Sequence, residues 1–335
     1  MQNAPLLIFL LLIALALGWA IARWQQRKGA ASTLPDAYLT GLDHLIDNRT
    51  EEAIESFIAA LEVNSDTLSA HIALAKLLRR KGDVERAVRI HERLLSRSDL
   101  SEEDRQRVSL ALARDFYALG LLDRSEESLR KLLDETKDAE LRGHAIRLLV
   151  RLYEQEAEWQ QALEIADQLT AEQRHALRVE LAHYFCERAE QLLEQAETDS
   201  ARQLLQRALD EDPKCVRANL TLARILQQQA QWRASIHALQ QVAQQDPQFI
   251  PETLRSLRRA YEASDDDAGL RTYLLELQRR HPATSTMLAL AEHKRDREGV
   301  LAAGMYITEA LKERPSVKGF NRLIDMHLEY GSSSA

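Results

Sequence analysis

RRKGDVERAVRIHERLL, Arg79 to Leu95, is the stretch whose reading decides the fold. Six of its seventeen residues are Lys or Arg. That density fits a helix gripping nucleic acid or acidic lipid, and equally the outer face of a repeated helical unit. The whole chain argues against the first reading. Over 335 residues its net charge is −8, with 29% charged residues. A protein that displaces counterions from nucleic-acid phosphates needs the opposite sign, so no nucleic-acid partner is expected.

Comparison of the chain with itself supports the repeat. Ala53 in EEAIESFIAAL and Ala87 in ERAVRIHERLL stand 34 residues apart. The same slot then falls at Ser125, Ala162, Ala201, Ser235, Leu270 and Ala303, at intervals of 33 to 39. Later units end near Pro213, Pro247, Pro282 and Pro315. Only 11 Gly, 7 Pro and 5% aromatics interrupt a chain rich in helix formers.

The spacing resembles the tetratricopeptide repeat, a helical hairpin with small residues at positions 8 and 20, large ones at 11 and 24, and proline at 32. Position 8 is Gly41, Ala75, Ala113, Val150, Ala189, Ala223, Arg258 and Ala291. Position 11 includes Leu78, Phe116, Tyr153, Leu192, Leu226 and Tyr261. Small residues let the two helices cross closely and large ones fill the remaining gap. Gly82 and Gly120 suit a turn needing positive φ. Asp83 is placed to cap the second helix through its side chain. SVKGFNRLIDMHLEY adds a terminal helix with apolar Val317, Phe320, Leu323, Ile324 and Leu328. The expected fold class is therefore all-α: an α-solenoid of about eight repeats over 37–330, with a disordered tail at 331–335.

A different pattern opens the chain. Ala4 to Ala22 carries no charge over nineteen residues, long enough to cross a hydrocarbon core. A transmembrane anchor with its basic flank is expected over 1–28, followed by a linker at 29–36. Pro5, Leu6 and Leu12 lie in the anchor, with Trp19 and Trp24 at its interface and Arg23 just beyond. The basic residues follow the apolar run, which places the repeats in the cytoplasm. A cleaved signal peptide is the competing reading. The missing basic n-region speaks against it.

Chemistry leaves little trace. There is no glycine-rich phosphate loop, G-x-S-x-G elbow or H-E-x-x-H pair, and no enzyme activity is expected. His183 and Cys186 share a helical face, but two ligands do not make a zinc site. Asp265-Asp266-Asp267 reads as a solvated loop, lacking the glycine and distal glutamate of a calcium hand. His91 takes position 24, where Phe57 sits one unit earlier, and so reads as a packing residue. Arg86, Arg89 and Arg93 read as a solvated outer face.

Tetratricopeptide resemblance implies that first helices line a concave groove. Position 9, one of the groove positions, reads Lys76, Arg114, Arg151, Glu190, Arg224 and Arg259. Arg79, Arg80, Arg147, Arg217 and Arg255 fall on neighbouring groove positions. Five basic residues of six form a candidate stripe for an acidic or carboxylate-bearing peptide. Ordinary surface charge is the alternative, with Glu154, Glu194, Glu252 and Glu262 nearby.

The apolar run, then YLTGLDHLIDNRTEEAIESFIAAL, RKGDVERAVRIHERLL, RDFYALGLLDRSEESL, ELAHYFCERA and YITEALKERP, resemble the lipopolysaccharide assembly protein B family. That resemblance implies a single-pass protein of the bacterial inner membrane, N-terminus periplasmic and repeats cytoplasmic. It also implies an adaptor that presents the deacetylase LpxC to the membrane protease FtsH, with other lipopolysaccharide assembly or regulatory membrane proteins as further partners. A non-proteolytic scaffold for those proteins is the alternative. The family ends in a rubredoxin-like iron domain with two C-x-x-C pairs. This sequence ends at HLEYGSSSA, and its two cysteines, Cys186 and Cys215, form no such pair. Either a truncated chain or a variant without the metal is expected, and no cofactor. An uncovered terminal helix would invite a partner or homo-oligomerisation at that end.

Overall fold

The computed structural model describes residues 36–63 and 68–333. The apolar run and its anchor positions Pro5, Leu6, Leu12, Trp19, Arg23 and Trp24 lie outside them. Among the described residues no helix is long and apolar enough to cross a membrane.

Eighteen α-helices and one 3-10 turn make up the described chain, with no strand. It divides into two compact units, 1–152 and 153–335. The first contains α1 (Asp36–Ile46), α2 (Thr50–Val63), α3 (Leu68–Lys81), α4 (Val84–Leu95), α5 (Glu102–Ala118), α6 (Leu122–Glu135) and most of α7 (Ala139–Gln155). The second continues with α8 (Trp159–Ala166), α9 (Ala171–Ala176), α10 (Arg178–Glu194), α11 (Thr198–Glu211), α12 (Val216–Gln228) and α13 (Trp232–Gln245). It closes with α14 (Ile250–Ala263), α15 (Asp267–Arg280), α16 (Thr284–Glu298), α17 (Val300–Glu313) and α18 (Val317–Ser333).

Each slot read from the sequence is a crossing point. Ala53, Ala87, Ser125, Ala162, Ala201, Ser235, Leu270 and Ala303 are all buried. So are the position-24 residues Phe57, His91, Leu129, Ala166, Leu205, Leu239, Leu274 and Ile307. A fully buried Leu or Phe there contributes roughly 2 kcal/mol. At Gly41 a Cβ would stand 2.9 Å from the Phe57 ring, so nothing larger fits unless that ring shifts. The core is a series of neighbour clusters. One joins Ala53, Phe57, Leu74, Leu78 and Ala87, and another Ala223, Leu239, Leu257, Tyr261 and Leu274. Stability built from neighbour contacts is what a repeat array requires.

The hairpin turn has a backbone solution. Asn48, Gly82, Gly120, Ala157, Ala196, Ala230 and Asp265 all take positive φ. Each lies five residues before its crossing slot. The next residue's N–H then reaches back to a carbonyl five residues earlier: Asp83 to Leu78, Leu121 to Phe116, Glu197 to Leu192, Gln231 to Leu226. This is the Schellman closure, and it uses the carbonyl of the large position-11 residue. It also corrects the expectation for Asp83, whose side chain makes no capping bond. The turn leaves Asp83 at ψ 60, away from the extended geometry of a side-chain cap such as Ser101 (ψ 156), and its carboxylate pairs with Arg86 at 3.3 Å.

Two departures from even spacing have local causes. α9, with a capping box between Thr170 and Gln173, is an extra helix inserted where the interval stretches to 39 residues. Arg258 fills a small-residue slot by lying partly exposed and pairing with Glu262 at 2.7 Å and with Asp296. At the far end α18 runs to Ser333, beyond the start of the expected tail. Met326 anchors it against Ala291, Ala303, Ile307 and Leu311, while Val317, Phe320, Ile324 and Leu328 stay exposed.

Candidate partner-binding site

The first unit gathers the basic residues of three first helices. The register that turns Ala75 and Leu78, Ala113 and Phe116, and Ile146 and Val150 inward leaves Arg79, Arg114 and Arg147 half-buried on the flank. Lys76, Arg80 and Arg151 are exposed beside them. The three arginines differ in their partners. Arg79 donates to Asp115 Oδ1 at 2.5 Å and to the Ala111 carbonyl at 3.5 Å. Arg147 donates to the Gly143 carbonyl and to His144 Nδ1, both at 3.3 Å. Arg114 has no hydrogen bond or ion pair among the described residues.

The electrostatics follow from that arrangement. Burial, then Arg79 and Arg147 alongside, pull the Arg114 guanidinium below its ordinary value. Burial first, then Arg114 and Arg147, lower the His144 imidazole against the smaller opposing pull of Glu140 and Asp138. His144 is therefore neutral at physiological pH and accepts from Arg147. Like charges gathered at a partly buried surface repel one another more strongly than they would in bulk water. A cluster of this kind is stabilised by an anion.

Beneath it lies a network that the sequence reading missed. Asp115 is fully buried, and its second oxygen meets His91 Nδ1 at 2.5 Å. His91 is buried, as its repeat position predicts, but it also bonds a carboxylate. One carboxylate thus ties α3, α4 and α5 together. The available signal was a charged residue standing between Ala113 and Phe116, both on the buried side of α5.

The second unit treats its arginines differently. Arg217 pairs with Glu187 at 2.6 Å and Glu190 at 2.9 Å, and Glu187's hydrogen bond holds its guanidinium above the ordinary range. Arg224, Arg255 and Arg259 are exposed, without an ion pair among the described residues. The other sequence candidates have structural roles. Asp266 caps α15 by accepting from the Gly269 N–H, and Asp267 pairs with Arg297. Exposed His183 is not joined to buried Cys186. Cys186 instead meets Cys215, sulfur to sulfur at 3.7 Å, a proximity their 29-residue separation did not announce. Among the described residues no three His, Cys, Asp or Glu are placed to hold a metal ion.

Residues 70–106 and 192–260 match the tetratricopeptide repeat family. Along nearly its whole length the chain is similar to lipopolysaccharide assembly protein B of Escherichia coli. The two are 32% identical over 326 residues, spanning 96% of this chain and 83% of that protein. This chain belongs to the lipopolysaccharide assembly protein B family. The family member from Haemophilus influenzae is 31% identical, over 96% of this chain and 84% of its own length. Among solved structures, a tetratricopeptide repeat protein from Parabacteroides merdae aligns with 88% of this chain and 98% of that chain, at 13% identity and TM-score 0.32.

Proposed function

We propose that the chain is a membrane-anchored, non-enzymatic adaptor in lipopolysaccharide assembly, which captures LpxC and presents it to an FtsH-type protease at the inner membrane. Capture is assigned to the first unit, where Arg114 and Arg147, with Lys76, Arg80 and Arg151 around them, receive an acidic or carboxylate-bearing segment of the client. The observation that carries this reading is Arg114: a half-buried guanidinium beside two other arginines, with no counter-ion among the described residues. A chain whose charge served only solubility would keep such a group exposed or paired.

Arg79 has a supporting part. Its charge is matched by Asp115, and the pair joins α3 to α5. The anchor contributes effective concentration, because client and protease held on one membrane surface meet far more often than free molecules. No resident cofactor is required by this mechanism. Deleting residues 1–28 is expected to leave client binding intact and to stop client turnover. LpxC half-life measured with the full chain and with the deletion checks this, and unchanged turnover by the deletion refutes the role of the anchor.

A further inference from the structure

Cys186 and Cys215 belong to no part of the adaptor reading. Cys186 lies within α10, and Cys215 immediately precedes α12, the first helix of the following repeat. Both are buried, and either could pass as a small apolar residue. Their sulfurs, however, face one another at 3.7 Å, so a bond of about 2.05 Å requires closure of only about 1.7 Å.

Their surroundings divide the two thiols into different roles. Cys215 occupies the N-cap position of α12, where the helix dipole favours a thiolate. Its thiol is pulled down, first by the hydrogen bond from Cys186 and further by the Ala218 N–H and Arg217, with burial and Asp212 opposing. Cys186 moves the other way. Its bond to Cys215 raises it first, then burial, with Glu190 adding and Arg217 opposing. The N-cap placement thus disposes Cys215 to attack, while Cys186, fully buried within α10, holds its proton.

We propose that Cys186 and Cys215 form a reversible dithiol–disulfide site that takes a hydroperoxide as oxidant, Cys215 attacking and Cys186 resolving. The Cys215 thiolate attacks the terminal peroxide oxygen. The O–O bond breaks, leaving Cys215 as a sulfenic acid and releasing hydroxide, or an alkoxide from an organic peroxide. Cys186 then attacks the sulfenic sulfur. The S–S bond forms, the S–O bond breaks, and the thiol proton leaves with that oxygen as water. Two electrons pass from the two thiols to the peroxide. An exogenous thiol returns both sulfurs to the reduced form by exchange. The bond ties consecutive first helices of the second unit beside the Arg217–Glu187 and Arg217–Glu190 pairs.

The test treats the reduced full-length chain in detergent with hydrogen peroxide, then unfolds it and blocks free thiols with N-ethylmaleimide. The expected product is a monomer lighter by two hydrogens, with neither cysteine alkylated, and dithiothreitol restores both. Dimedone labels Cys215 in Cys186→Ser, whereas Cys186 in Cys215→Ser stays unlabelled. The wild-type mass measurement needs no substitution, so a poorly folding variant does not protect the idea. Two alkylated cysteines after treatment, a disulfide joining two chains, or dimedone on Cys186 overturns it.

Discussion

Replacing Asp115 with asparagine is expected to move stability and anion affinity in opposite directions. Asp115 is fully buried and accepts from Arg79 on one oxygen and from His91 on the other, each at 2.5 Å. Asparagine keeps the shape but offers one acceptor oxygen and an amide group that must face another donor. Hydrogen bonds to charged groups contribute about 1.5 to 3 kcal/mol each, and breaking a buried pair costs about 3 to 5 kcal/mol. Asp115→Asn is therefore expected to destabilise the first unit by about 3 kcal/mol, roughly 10 °C in Tm for a unit of this size. Because repeats unfold semi-independently, hydrogen exchange resolved to α3, α4 and α5 reports the loss best. The same change releases the Arg79 charge into the cluster. An added positive charge near a bound carboxylate is worth on the order of 1 kcal/mol, roughly fivefold in affinity at low salt. Fluorescence anisotropy with a labelled acidic peptide measures that gain. Unchanged exchange in α3–α5 would show that the buried network does not hold these helices together. Weakened binding by a folded variant would refute the anion site.

Two further predictions rest on separate features. Ala196→Gly and Ala230→Gly, at φ 62 and 55, should each stabilise the chain by about 1 kcal/mol, while Gly120→Ala, at φ 74, should destabilise it by a similar amount. Urea unfolding monitored by circular dichroism checks both signs. Burial, with Arg114 and Arg147, holds the His144 imidazole low, so its stabilising contribution is present above the ordinary value near 6.5 and is lost as pH falls through the lowered folded value. A bound carboxylate relieves that repulsion and raises the imidazole, so binding takes up protons and tightens as pH falls toward 6. An upward shift of the His144 NMR titration on adding acidic peptide is expected, and a downward shift contradicts the placement.

The repeats were legible because their constraint is steric and periodic. Ala53 through Ala303 had to be small wherever two helices cross, and only Leu270 and Ser125 or Ser235 varied the theme. Turn closure was legible only at Gly82 and Gly120. Ala157, Ala196 and Ala230 accept the same left-handed geometry, at a cost that composition does not advertise. The basic stripe was legible as a list of positions, but its energetic meaning was not. Arg79 and Arg217 find carboxylates in space, and Arg114 finds none among the described residues. Asp115 and the cysteine pair escaped for the same reason: their partners lie on other helices, about 24 to 36 residues away.

Capture of LpxC by the full-length chain carrying Arg114→Glu tests the central claim most directly. The substitution removes a charge already repelled by Arg79 and Arg147, so helical content and Tm are expected to hold or rise. Pull-down of LpxC from detergent-solubilised membranes is then expected to fall at least tenfold relative to wild type. Undiminished capture by the folded variant would contradict the assignment of the client site to this cluster.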